Sequence, residues 1–174
     1  MEKNRKLALA GIMTAFTVII LFFAMVIPNL KLVLYGLSSL PIAVILIECD
    51  KKTAGLFFTA TAVLALILIP DKTAVLPYVV VLGFYGFIKA IAEKFTNNIV
   101  EWAIKIIYFN ATLAIYLWLV LAIFLPNIVL PIPLWVLIIG AEVGFVIYDF
   151  IYSACIWYYE KQIRPKIKTL NSFR

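Results

Sequence analysis

The chain has 174 residues, 66% of them hydrophobic and only 14% charged, with a mean hydropathy of +1.09; an ordinary soluble domain is about half apolar and a quarter charged. That balance excludes a water-soluble globule, and the closely spaced apolar stretches call for lipid as their solvent. The net charge of +6 does not indicate nucleic acid as a partner, because the basic residues sit at the ends of apolar stretches and form no stripe with interleaved aromatics.

The first apolar run, Leu7 to Ile27, follows the basic stretch Glu2-Lys3-Asn4-Arg5-Lys6. The order resembles a signal peptide, but the run is too long and more runs follow, so it reads as a retained first transmembrane helix. Five more follow: Leu32 to Ile47, Ala54 to Ile69, Ala74 to Ala92, Trp102 to Leu125 and Ile132 to Tyr158. The separators carry helix breakers or charge: Pro28-Asn29, Glu48 to Lys52, Pro70-Asp71-Lys72, Glu93 to Glu101 and Pro126 to Pro133. The second and third runs are short for a span; thin-membrane spans, extension into the flanks and partly re-entrant segments are all compatible with them. The Glu93 to Glu101 connection is long enough for a short interfacial helix. A barrel would need alternating strands of about ten residues, and runs such as Leu113 to Leu125 are apolar on every side. The expectation is an all-α, polytopic membrane protein, one domain over residues 1–174 with about six transmembrane helices.

Orientation follows from the bias of Lys and Arg toward cytoplasmic loops. With the N-terminus inside, one side holds Lys3, Arg5, Lys6, Lys51, Lys52, Lys89, Lys94, Lys105, Lys161, Arg164, Lys166, Lys168 and Arg174, and the other only Lys31 and Lys72. Both termini are therefore expected in the cytoplasm. Cys49 and Cys155 then lie near cytoplasmic ends, where thiols stay reduced.

Polar groups at membrane depth are costly and mark candidate sites. Glu142 lies about ten residues into the sixth run, roughly 15 Å deep, and Asp149 follows two turns later on nearly the same face. On neighbouring helices, Asn110 falls at a depth similar to Glu142, and Lys89 at one similar to Asp149. Two pairs are expected: Asn110 with Glu142, and Lys89 with Asp149. Packed structural contacts, or snorkelling of Lys89 to the interface, are the plainer readings for Lys89 with Asp149, whereas an acidic group at the midplane is expensive enough to favour a functional reading of Glu142. The segment Tyr35-Gly36-Leu37-Ser38-Ser39-Leu40-Pro41 reads either as half of a binding site or as a Pro-kinked helix with small packed residues. Tyr78, Trp118 and Trp135 fall near the outer boundary and read as belt aromatics or as the walls of an outward pocket, the belt being the plainer reading.

No histidine and no metal-ligand spacing is present, and no Walker motif, so no metal, cofactor or catalytic role is expected. In the first helix Gly11 and Ala15, and Ala10 and Thr14, lie one turn apart, which lets another helix approach closely.

That basic N-terminus and the segment Leu7-Ala8-Leu9-Ala10-Gly11-Ile12-Met13-Thr14-Ala15, in a small six-helix protein, resemble the S components of energy-coupling factor (ECF) transporters. The resemblance covers almost the whole chain as architecture. It implies a substrate-capture subunit for a vitamin or similar precursor, energised by a transmembrane coupling subunit and two ATPase subunits. It also implies partner docking at Ala10, Gly11, Thr14 and Ala15; Gly11 and Thr14 depart from an all-alanine pattern. The ligand pocket it implies would draw on Ser38, Ser39, Tyr78, Tyr85, Asn110, Trp118 and Glu142. Two rivals are a non-transporting six-helix scaffold of a cell-envelope assembly, similar in size to rod-shape proteins, and a stand-alone carrier working by alternating access.

Overall fold

A computed structural model describes residues 3–124 and 133–166. Every element among the described residues is helical: α1 (Lys3–Val26), a 3-10 turn (Pro28–Leu30), α2 (Lys31–Glu48), α3 (Lys51–Leu68), α4 (Lys72–Leu76), a π-helical stretch (Pro77–Leu82), α5 (Tyr85–Ala92), α6 (Asn98–Leu119) continued by a π-helical turn (Val120–Phe124), and α7 (Leu134–Tyr158) continued by another (Tyr159–Ile163). Six of the resulting helical spans are long and apolar enough to cross a membrane. The loop before Pro133 and the basic residues Lys168 and Arg174, on which part of the orientation rests, lie outside the described residues.

The short second and third runs are full helices that extend into their flanks. Each has 18 residues, a rise of about 27 Å, and α2 continues through Pro41 without a break. Both are long and apolar enough to cross a membrane. The extension of α3 has a local cause: Asp50 accepts hydrogen bonds from the Thr53 N–H at 2.8 Å and the Thr53 hydroxyl at 3.0 Å, an N-cap that lets the helix begin at Lys51. At its other end the Lys72 ammonium donates to the carbonyls of Leu66 and Ile69, satisfying acceptors that a helix end leaves open. Asn97 caps α6 in the same way, accepting from the Ile99 N–H at 2.9 Å. The connection before it is turn and coil, with no interfacial helix.

The chain divides into two compact units, Met1–Ile128 and Val129–Arg174. In the first, α1 packs along both α2 and α3, α2 also meets α5, and α6 packs on α5 and on the π-helical stretch. Two apolar clusters hold α1 to α3 together. One contains Ala10, Ile42, Ile45, Ala54 and Phe57; the other contains Val18, Leu21, Ala24, Tyr35, Ala65, Ile69, Val75 and Tyr78. α1 and α3 run one way and α2 the other, so the first cluster lies toward the N-terminal end of α1 and the second toward its C-terminal end.

Pro77 opens the π-helical stretch and has no N–H to give to a helical ladder. The wide turn closes with the Gly83 N–H donating to the Tyr78 carbonyl at 2.7 Å, five residues back. Glycine is required at 83 by space: a Cβ there would stand 2.7 Å from the Tyr78 carbonyl oxygen and 2.8 Å from the Phe58 ring on α3. The Tyr108 hydroxyl on α6 donates to the Val81 carbonyl at 2.7 Å, which ties α6 to this irregular backbone.

The second unit is built on α7. Glu142 and Asp149 lie two turns apart on it, the Ser153 hydroxyl donates to the Asp149 carbonyl at 2.9 Å, and the rings of Phe145, Tyr148 and Tyr152 stand in sequence along it.

Candidate functional site

Between the two apolar clusters of the first unit lies a layer of buried hydroxyls: Thr14 and Thr17 on α1, Ser38 and Ser39 on α2, Thr61 on α3. Thr14 is eleven residues beyond Lys3, about 16 Å along a helix that rises about 36 Å, so the layer sits at mid-depth. Most of these hydroxyls are satisfied within their own helix. Ser38 donates to the Tyr35 carbonyl at 2.7 Å, Ser39 to the Gly36 carbonyl at 2.6 Å and Thr17 to the Met13 carbonyl at 2.8 Å. Between helices, the Thr61 hydroxyl donates to that of Thr14 at 3.4 Å. Hydroxyls that donate to their own backbone keep lone pairs for a further donor.

Of the residues that the resemblance implied for a pocket, Ser38 and Ser39 belong to this layer. Tyr78 belongs to the apolar cluster beside it and is fully buried, with its hydroxyl beside that of Thr61. Tyr78 is therefore a core residue and not a belt aromatic; a position near the end of a span fixes depth but not the side of the helix. Tyr85 is also buried, its ring 6.2 Å from that of Tyr108. Asn110 and Trp118 lie on exposed parts of α6, and the Asn110 amide donates to the Ile106 carbonyl at 3.0 Å. Trp118 and Trp135 are exposed, at 64% and 65%. Glu142 belongs to the second unit, so the pairs expected with Asn110 and of Lys89 with Asp149 fall across the division of the chain, and each residue is described within its own unit.

The residues singled out on α1 split into two faces. Ala10 and Thr14 are buried against the bundle, whereas Gly11 and Ala15 are exposed. A Cβ on Gly11 would meet no atom within 4 Å, so that face is open to a neighbour.

Lys89 and Lys105 are both buried on the packed helices α5 and α6. Lys89 pairs with Glu93 at 3.0 Å and Lys105 with Glu101 at 2.6 Å, each carboxylate one turn nearer the connecting loop, and the Lys105 ammonium lies 5.2 Å from the centre of the Trp102 ring. Sequence reading counted Lys105 only as a headgroup-side charge. Its spacing from Glu101 at i, i+4, together with Trp102, was the available signal for a fixed position.

At the N-terminal end of α1 the Lys6 ammonium binds Asp50 at 2.6 Å. That bond, followed by those from the Thr53 N–H and hydroxyl, holds the Asp50 carboxyl well below the usual carboxylate range. Burial pushes the neighbouring Cys49 thiol up, away from the thiolate form that nucleophilic chemistry needs. Among the described residues no group of three or more His, Cys, Asp or Glu side chains is placed to hold a metal ion. No family model, curated protein or solved structure matches the chain, so a functional reading has to stand on these residues.

Proposed function

We propose that the chain is a substrate-capture subunit of a small-molecule uptake transporter, of the S-component kind in ECF transporters, with both termini in the cytoplasm of a cell membrane and with separate coupling and ATPase subunits supplying energy. In this reading it performs no catalysis of its own. The observation that carries it is the division of α1 into a buried face and an open small-residue face, Gly11 and Ala15, where a partner's helix has room to approach closely. The mid-depth hydroxyls of Ser38 and Ser39 and the buried Tyr78 hydroxyl supply polar groups near which a ligand would be read. In this reading Tyr85, Asn110 and Trp118 are further candidate contacts within the first unit, and Glu142 is a candidate within the second.

A scaffold role in a cell-envelope assembly is the second reading. The bonding of Ser38, Ser39 and Thr17 to their own helices favours it, because such hydroxyls serve packing without any ligand.

One experiment separates the two. The tagged protein is purified from its native membrane in mild detergent, and co-purifying proteins and small molecules are identified by mass spectrometry. The transporter reading expects a membrane coupling subunit, ATPase subunits and a bound small molecule. It also expects Gly11→Leu to remove the coupling subunit while the protein keeps its melting temperature, since the new side chain points into open space. Unchanged co-purification of Gly11→Leu, or recovery of envelope-assembly proteins alone, would favour the scaffold.

A further inference from the structure

At the end of the first unit where α1 and α3 begin, the two helices leave a cleft of about 380 Å³ lined by Lys3, Lys6 and Leu7 from α1, by the α3 cap Asp50, and by Thr53 and Leu56 from α3. Its two halves differ in chemistry. The end nearest the helix starts is ionic, and one turn deeper along each helix stand Leu7 and Leu56, whose side chains are half or more exposed. An ionic mouth leading onto an apolar floor, placed where two spanning helices begin, corresponds to the boundary between lipid headgroups and acyl chains.

We propose that this cleft binds the phosphate headgroup of one anionic phospholipid, with the start of an acyl chain laid over Leu7 and Leu56. Lys3 and Lys6 lie three residues apart, on one face of α1. Lys6 already donates to Asp50 at 2.6 Å, but an ammonium has three donors, so a phosphate oxygen can be held beside the carboxylate. Asp50 is the one acid in the lining, and its charge is engaged by Lys6 and by the Thr53 N–H and hydroxyl. Arg5, Lys51 and Lys52 flank the cleft, against Glu48 alone among the neighbouring described acids, so the surrounding field is positive. The volume suits a headgroup and the first carbons of a chain, and is too small for a partner's helix. The apolar floor distinguishes a lipid from free phosphate. The proposal depends on the spanning helices and not on the transporter reading.

Native mass spectrometry of the full chain, released from detergent, tests it with phosphatidylglycerol and phosphatidylcholine of identical acyl chains. One phosphatidylglycerol is expected to stay bound at activation energies that strip phosphatidylcholine. Lys3→Gln should lower the retained fraction about three-fold, the range of an exposed ion pair, and Lys3→Gln with Lys6→Gln by more, while Lys72→Gln, remote from the cleft, changes nothing. Because Lys6→Gln breaks the bond to Asp50, each variant's melting temperature is measured as well, and Lys3→Gln alone decides if the double variant fails to fold. Equal retention of the two lipids, or unchanged retention in Lys3→Gln, overturns the proposal. Displacement by soluble glycerol 1-phosphate at millimolar concentration overturns it in favour of a free-phosphate site. Cross-linking of Lys3 to a co-purifying protein in the native membrane, with no lipid retained, overturns it in favour of protein docking.

Discussion

Asp50 shows how one side chain can set the start of a helix and join it to another. It caps α3 through Thr53 and binds Lys6 of α1, and these bonds hold its carboxyl below the ordinary range. A carboxyl whose folded value is depressed stabilises the fold above its unfolded pKa of about 3.9, and that contribution is lost as pH falls through the lower folded value. Asp50→Ala is therefore expected to melt at a lower temperature than the parent chain at neutral pH, and the gap should narrow steadily below about pH 4. A gap that stays constant on acidification would remove the charge from the explanation. The cap was legible in the sequence as Asp50-Lys51-Lys52-Thr53, although hydropathy alone began the run at Ala54, because charged residues count against a span even where they form its first turn. The burial of Tyr78 was not legible, and that of Lys105 was signalled only by its spacing from Glu101. In helices apolar all round, sequence fixes depth through distance from the ends but leaves the buried side undetermined, so an aromatic at the boundary and a lysine near it looked like surface residues.

At the scale of elements, the number of spans was readable because each is bounded by Pro, Asp or Lys, whereas the π-helical stretch at Pro77–Leu82 was not. Its cause is a missing N–H at Pro77 combined with the close approach of Phe58 to Gly83, and neither leaves a trace in periodicity. A π turn amounts to an α-helix carrying one extra residue, and such turns recur at functional positions. Deleting Val80 is therefore expected to return the stretch to α geometry while leaving α5 facing as before, with Lys89 still beside Glu93. Deleting Val63 in the middle of α3 should instead turn the rest of that helix by about 100° and move Ala65 and Ile69 out of their cluster. Yield and melting temperature in detergent would check this, with the Val80 deletion near the parent and the Val63 deletion strongly reduced. Equal loss in both would mean that the wide turn is itself required.

For the whole molecule, the orientation argument gives a direct test. Single cysteines introduced at Asn4, Lys52 and Lys166, in a background lacking Cys49 and Cys155, should resist a membrane-impermeant maleimide in intact cells, and one at Lys72 should react; reaction at Asn4 would overturn the proposed topology. The sandwich of apolar cluster, hydroxyl layer and apolar cluster in α1 to α3 bears on how these helices find one another. In a bilayer the leucines of one helix gain little by leaving lipid for another helix, since both surroundings are hydrocarbon. Apolar packing alone would therefore tolerate a helix sliding along its neighbour. Sliding α3 one turn toward the start of α1 would take Thr61 away from Thr14 and bring it to the level of Ala10, so the layer acts as a vernier against that shift. These three helices leave the ribosome before α5 and α6, and with such a registration mark among them they can lock before those later spans arrive, giving α5 and α6 a finished surface on which to assemble.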